Sequence, residues 1–343
     1  MDIELLRERS RIIRGVRTFF DRRGYLEVDT PLLAPDLIPE TCLEVFETAY
    51  VPPRGSRKNP EKRWLIPSPE IWMKKLIALH RTNMYQICKC FRNTESRGKL
   101  HSPEFTMLEY YTMDAAYKDS LAITEELFLH LLAPAGTGPK APGGKAPGAA
   151  AAQGGSLEPP FIRITMEDAF RRWAGFSLYE AAAAGPSALE SEGRRLGLDP
   201  PPGLDRAALY DLIFIHAVEP ALPRNRPVVI LDYPAFVPCL AKKGSDPKTM
   251  ERWELYVNGI ELANCYSEET DPGEIRRYFE AESALKEKTG LIRHGIDKKY
   301  WQTFCPRKDG TFPRCSGVAL GMDRLIMALA GKSSIEGVLS FTV

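Results

Sequence analysis

Residues 84–111, MYQICKCFRNTESRGKLHSPEFTMLEYY, restrict the folds open to this chain more than any other stretch. Apolar and polar residues alternate on either side of a long polar loop, a period-two pattern that predicts two antiparallel strands. In the first arm Tyr85, Ile87 and Phe91 alternate with Gln86, Cys88, Cys90 and Arg92. In the second, Phe105, Met107, Glu109 and Tyr111 share one face. Two features exceed what a structural hairpin needs. The loop carries Arg97, Lys99 and His101, with Arg92 at its mouth, and offers no bulky apolar anchor. Glu109 shares a face with Phe105 and Met107, where a carboxylate is costly unless a cation or a donor meets it. A solvated loop and a core salt bridge would satisfy both features. So would an anion-binding hairpin beside a carboxylate that selects an amine.

At 343 residues the chain can bury a large core as one domain or two. Its 46 basic and 45 acidic residues leave a net charge of +1, so no global signature of nucleic-acid binding exists. No apolar run approaches the length of a membrane span, and the charged N-terminus lacks the apolar core of a signal peptide, so no membrane partner is expected. The seven cysteines are odd in number and scattered, without paired C-x-x-C spacing. Reduced thiols in the cytoplasm are the expectation, and Cys88 and Cys90 lack companions for zinc.

In chain order, residues 3 to about 23 predict an amphipathic helix with Leu5, Ile12, Val16, Phe19 and Phe20 as its stripe. Asp2 is placed to cap it and Gly24 to end it. Residues 25–30 then run extended into Pro31, which suits an edge strand. Strands are expected at 42–51 and 63–66. Ser68-Pro69-Glu70 predicts a helix to about residue 80, with serine at the N-cap, proline at the first helical position and an acid in the first turn. Residues 134–160 turn to Ala, Gly and Pro without apolar periodicity, which predicts a flexible surface insertion within one domain. Residues 165–222 read as a small helical insertion.

A short strand is expected at 228–231, followed by a hairpin, 252–257 and 260–263, about an Asn258-Gly259 turn. In that register Tyr256 opposes Glu261 and Glu254 opposes Ala263. Glu254 and Glu261 then lie diagonally on one face, a repulsive pair that calls for a shared proton or a cation. Two such carboxylates suit magnesium. Asn264, Tyr266 and Glu268 continue at period two and would face away from Glu261 unless a bulge intervenes near Ala263. Finally, residues 317–320 form a strand entering a helix at about Met322. Arg324 falls in that helix's first turn, where the macrodipole disfavours a cation, and this suggests an anionic partner.

F-R-N at 91–93 followed by H-S-P-E-F-T-M-L-E-Y-Y at 101–111 resembles motif 2 of the class II aminoacyl-tRNA synthetases, in their lysyl branch. G-Y-L-E-V-D-T-P at 24–31 resembles motif 1, and G-V-A-L-G-M-D-R-L at 317–325 resembles motif 3. The segment 254–268, E-L-Y-V-N-G-I-E-L-A-N-C-Y-S-E, is similar to the one that holds metals, ATP and the lysine ammonium. The resemblance covers nearly the whole chain. It implies an α+β class II synthetase-like fold, a mixed and mainly antiparallel sheet flanked by helices, with motif 1 at a homodimer interface. It also implies ATP and Mg²⁺. Arg92 and Arg324 would be the catalytic groups that neutralise phosphate charge. Asn93, Thr94, His101, Ser102, Glu261, Leu262 and Gly321 would complete the ATP contacts, and Glu254 and Glu261 would hold the metal. Ser68, Pro69, Glu70, Glu109, Tyr111, Asn264, Tyr266 and Glu268 would bind a diamino acid, with Ala319 on a strand beside it. Four residues depart from the family pattern. Thr94 stands where the glutamate of F-R-N-E usually meets adenine, with Glu95 one place later. Ser102 replaces a usual asparagine, and Cys265 a usual glycine.

Motif 1 begins about two dozen residues from Met1, which leaves no room ahead of it for the anticodon-binding barrel of a full lysyl-tRNA synthetase. That absence, the S-P-E segment and Ala319 resemble the stand-alone lysyl-synthetase paralogues that act on elongation factor P. The resemblance implies activation of (R)-β-lysine, or of lysine, as an adenylate and its transfer to a lysine ε-amine of elongation factor P, with no role for tRNA. An aminoacyl ligase acting on tRNA or on a small amine is the alternative acceptor reading. A non-catalytic paralogue is a third, against which both arginines and both metal-type glutamates speak.

Overall fold

The computed structural model describes residues 3–54, 59–95, 98–133, 155–297, 299–308 and 310–341. The expected cap Asp2, the loop residue Arg97 and residues 134–154 of the Ala/Gly/Pro tract lie outside the described residues. In chain order the strands are β1 (Leu26–Glu27), β2 (Leu33–Ala34), β3 (Phe46–Tyr50), β4 (Glu61–Leu65), β5 (Met84–Phe91), β6 (Glu104–Met113), β7 (Ile162–Thr165), β8 (Val228–Pro234), β9 (Thr249–Val257), β10 (Ile260–Ser267) and β11 (Cys315–Gly321). The chain divides into two compact units, Met1–Ala115 with Glu268–Val343, and Ala116–Ser267.

In the first unit the hairpin of β5 and β6 forms as the alternation predicts, with Gln86 opposite Glu109 and Met84 opposite Tyr111. β1 adds in parallel to β5, and β11 adds antiparallel to β6. The helix Ile3–Arg22 lays Ile12, Val16, Phe19 and Phe20 into the core. Phe20 stacks on Tyr85 with ring centroids 4.9 Å apart and meets Tyr25 edge-on at 5.1 Å. That helix stops because Gly24 takes φ +73°, which lets the Tyr25 N–H return to the Phe20 carbonyl at 3.1 Å. β2, β4 and β3 make a separate antiparallel sheet.

The expected helix start is shifted by one residue. The helix runs Glu70–His80, and Pro69, with φ −74° and ψ −2°, occupies the cap position. Ser68 still satisfies a helix donor, because its Oγ accepts the Glu70 N–H at 3.1 Å. β4 likewise lies slightly before the expected strand.

In the second unit β7 pairs in parallel with β8, and β8, β9 and β10 continue antiparallel. Short helices between residues 166 and 221 pack Phe170, Leu178, Leu189 and Ile213 into one apolar cluster with Ile230 and Tyr256 of the strands. Asn258 and Gly259 both take positive φ, +55° and +75°, as a two-residue turn that matches strand twist requires. The register of β10 shifts between Glu261 and Ala263. Glu254 therefore opposes Asn264, and not Ala263 as the uninterrupted register predicts.

The helix Met322–Leu329 is tied to the rest of the first unit by Asp323, which is 4% exposed. Its carboxylate accepts the Thr106 N–H of β6 and the Arg9 guanidinium, each at 2.7 Å. Asp323→Ala would leave the part-buried Arg9 without its carboxylate and the Thr106 N–H without its acceptor. It is expected to lower unfolding free energy by about 3–5 kcal/mol in urea melts. A loss below about 1 kcal/mol would show that neither group depends on Asp323.

Candidate functional site

β6 and β11 contribute one side of a polar side-chain cluster in the first unit. Tyr111 is opposite Gly317 and Glu109 is opposite Ala319, so all four point to one face. Gly317 is required there. A Cβ at this position would lie inside the van der Waals radii of Glu268 Oε1 and the Tyr111 ring. Glu109, 2% exposed, accepts from Ser68 Oγ and from Tyr111 Oη, each at 2.6 Å. Donors thus meet the carboxylate that the alternation placed on an apolar face.

The helix Glu70–His80 brings a cation to the same cluster. Lys74, 2% exposed, places its Nζ 2.6 Å from Glu70 Oε1 and 2.6 Å from Glu268 Oε2. Toward Glu268 it is a charge contact more than an aligned hydrogen bond. Tyr300 Oη donates to Glu70 Oε1 at 3.2 Å. Glu268 is anchored by its own N–H, which donates to the Cys315 carbonyl at 3.0 Å.

Three carboxylates around one lysine leave a surplus of negative charge, and the titration of the group reflects it. Burial, then repulsion from Glu70, pushes Glu109 up to about 8 against the pull of Ser68, Tyr111 and Lys74. Burial raises Glu268 to about 7, with Lys74 opposing and Glu70 adding to the rise. Burial alone would depress Lys74, but Glu268 and Glu70 outweigh it and hold the ammonium charged. Glu40, on the loop after β2, is raised to about 7 by burial and Glu70, with Arg92 and Lys286 pulling it down. Burial first, with Glu70 adding to it, leaves Glu109 and Glu268 readier to hold a proton than ordinary carboxyl groups.

The positive groups of the hairpin gather separately. Arg92 leaves its buried Nε without a hydrogen-bond partner and lies over the Phe105 ring at 5.2 Å. Arg324 Nε donates to the Leu100 carbonyl at 3.2 Å, which ties the helix Met322–Leu329 to the loop that carries His101. Burial lowers the His101 pKa, and Arg324 and Arg92 lower it further against Glu95. A neutral His101 between two arginines marks a field that favours an anion. Ser102 is buried beside it, and Gly321 caps the helix. Asn93 is engaged with backbone, donating to the Val45 carbonyl at 3.3 Å and accepting the Thr94 N–H at 2.9 Å. Thr94 adopts φ +60°, an uncommon conformation for a β-branched residue.

In the second unit the register shift sets the polar face. Glu261 opposes Tyr256, Asn264 opposes Glu254 and Tyr266 opposes Arg252, so all six side chains share one face. Leu262 is the residue that the bulge leaves unpaired, and Cys265, opposite Trp253, belongs to the other face. Glu254 has found its cation, because Arg252 donates to Oε1. Tyr256 donates to Oε2 at 2.7 Å. Arg252 in turn sits 4.3 Å above the Tyr233 ring, and its Nε is buried without a hydrogen-bond partner. Among the described residues no three acidic, histidine or cysteine side chains cluster as a metal cage. Glu254 and Glu261 still suit magnesium, which binds through one or two carboxylates and takes its other ligands from water and phosphate.

Sequence reasoning missed Lys74, Tyr300, Glu40, Gly317 and Arg252. The i,i+4 spacing of Glu70 and Lys74 was a local signal for one contact, but it said nothing of Glu268.

The chain is similar across residues 3–343 to the family described as tRNA synthetases class II (D, K and N). The elongation factor P–(R)-β-lysine ligase of Avibacterium paragallinarum is 34% identical over 99% of this chain and 96% of its own length. That of Vibrio vulnificus is also 34% identical, over 99% and 95%. That of Haemophilus influenzae is 31% identical over 100% and 96%.

The raised Glu109 gives a signed pH dependence. Its folded value lies above its ordinary one of 4.5, so it supports folding fully below pH 4.5 and withdraws that support as pH rises through about 8. In denaturation across a pH series, Glu109→Gln should gain stability relative to the native chain between pH 5 and 8, by at most about 1.4 kcal/mol per unit. A difference that stays flat with pH would show that Glu109 is charged throughout.

Proposed function

The chain belongs to the class II tRNA synthetases (D, K and N), and from that premise we propose that it is an AMP-forming ligase joining (R)-β-lysine to a lysine ε-amine of elongation factor P. The relatives named for that reaction support the acceptor and the amino acid. The observation that carries the reading is the surplus of carboxylates around the single ammonium of Lys74, with Glu109 and Glu268 buried and Glu70 partly buried. Such a cluster suits an amino acid with two amines. No helix among the described residues is long and apolar enough to cross a membrane, and we place the enzyme in the cytoplasm as a homodimer.

The chemistry is attack of the amino-acid carboxylate on the α-phosphorus of ATP, with pyrophosphate leaving. The acceptor amine then attacks the acyl carbon of the adenylate, AMP leaves, and the amine gives up one proton as the amide forms. No protein nucleophile is needed. Ser68, Glu70, Glu109, Tyr111 and Glu268 hold the ammonium groups and fix the carboxylate's approach. Arg92, with its unpaired buried Nε, and Arg324, in the first turn of its helix, meet developing phosphate charge. Asn93, Thr94, His101, Ser102, Leu262 and Gly321 are assigned to the nucleotide. Glu254 and Glu261 are the residues for Mg²⁺, which supplies neutralisation of phosphate charge when bound. Asn264 and Tyr266 share one face of β10 and are assigned to the amino acid by the family resemblance.

ATP–pyrophosphate exchange across lysine isomers, with elongation factor P, tRNA or ammonia as acceptor, tests the reading. Exchange is expected to favour (R)-β-lysine, and stable product to form only on the protein. Charging of tRNA instead would replace the acceptor. Glu254→Gln and Glu261→Gln should each abolish exchange while leaving the melting temperature near that of the native chain. Activity within about threefold in both would remove the metal assignment.

Ala319 offers a sharper test, because its methyl stands opposite Glu109 on the pocket face. Narrowing by one methyl is worth roughly 1–3 kcal/mol, or about 10- to 200-fold. Ala319→Gly is expected to raise exchange with α-lysine at least about tenfold and to change (R)-β-lysine less. An unchanged isomer preference would make Ala319 a packing residue only.

A further inference from the structure

Lys74 is fully buried, yet it caps no helix and fills no apolar gap. Its Nζ lies 2.6 Å from a carboxylate on its own helix, Glu70, and 2.6 Å from one on a distant segment, Glu268. The other groups that face it are Tyr300, Glu109, Glu40 and Cys315. Glu40 has cations of its own in Arg92 and Lys286, and the phenol and the thiol are neutral. The local count is three carboxylates, Glu70, Glu109 and Glu268, against one ammonium. Fully ionised, the pocket is two positive charges short of balance.

We propose that Lys74 is the specificity-setting positioning residue of this pocket: by bridging Glu70 to Glu268 with one buried ammonium, it leaves room for two further ammonium groups, and so selects a diamino acid over a monoamino acid. This rests on reading the pocket as the amino-acid site. Without Lys74, Glu70 and Glu268 face one another as like charges, and one must take a proton. The pair then keeps one charge between two carboxyls that no ammonium holds in place, so the preference for two amines weakens through lost placement rather than through lost charge. The same bridge sets geometry, because it holds Glu268 against the helix that carries Glu70.

The test compares lysine with norleucine, which lacks the terminal amine, in Lys74→Met, a neutral side chain of similar length. Pyrophosphate exchange reads catalysis, and calorimetric titration of each amino acid reads binding alone. The lysine-over-norleucine preference should fall at least about tenfold at pH 7, chiefly through KM, and should recover partly by pH 9 as the remaining carboxyls ionise. A purely structural lysine would lower kcat and stability for both amino acids alike, with no change in the pH profile. Glu70→Gln combined with Lys74→Met removes one charge of each sign and keeps the count at two. It should fold better than Lys74→Met and regain preference for lysine, and this double variant carries the test if the single variant does not fold. An unchanged preference and pH profile in Lys74→Met, or a double variant less selective than the single, would overturn the proposal. In the native chain, equal binding of lysine and norleucine would also overturn it, whereas selective binding of lysine without exchange would count against the ligase reading alone.

Discussion

Taking two carboxylates and a lysine out of water, with Glu70 partly so, costs several kcal/mol per ion unless each is paired and hydrogen-bonded, and the first unit is arranged around meeting that cost. Lys74 meets two of the carboxylates, Ser68 and Tyr111 donate to the third, and Tyr300 shares Glu70. These groups come from a helix and the residues just before it, from β6, from the chain just past β10 and from the turn that holds Tyr300. Gly317 admits Glu268 and the Tyr111 ring where any side chain would collide. The cluster remains underpaired even so, and Glu109 and Glu268 respond by binding protons more tightly.

A different device serves the polar face of the second unit. Side chains in a strand alternate, so Glu261 and Asn264 would point to opposite faces in a regular β10. One extra residue at Leu262 reverses the alternation and puts Glu261, Asn264 and Tyr266 in line with Arg252, Glu254 and Tyr256. The like-charge problem posed by Glu254 is relieved within the strand, by Arg252 two residues away. That same pairing means a metal bound at Glu254 competes with a guanidinium.

Much of the architecture was legible because its causes are local. Alternation at 84–111 specified a hairpin, the Asn258-Gly259 pair specified a tight turn, and Gly24 specified the end of the first helix. The need for a bulge was legible too, since the polar residues on either side of Ala263 could share a face only if the register slipped. The motifs added the family, which composition with a net charge of +1 would never have suggested.

The amino-acid sequence by itself determined the class II architecture and the hairpins, because those depend on residues close in the chain or on whole motifs. Only the tertiary structure decided the partners of the charged side chains. Lys74 reads from sequence as one more helix lysine. Its burial, and its contact with a glutamate almost two hundred residues away, arise from how a helix packs against distant segments. Likewise Arg92 reads as a loop-mouth cation, and the surrounding fold alone strips its Nε of hydrogen-bond partners. Charges in a protein acquire their strength from desolvation and from distance to other charges, and both are properties of three-dimensional packing rather than of chain order.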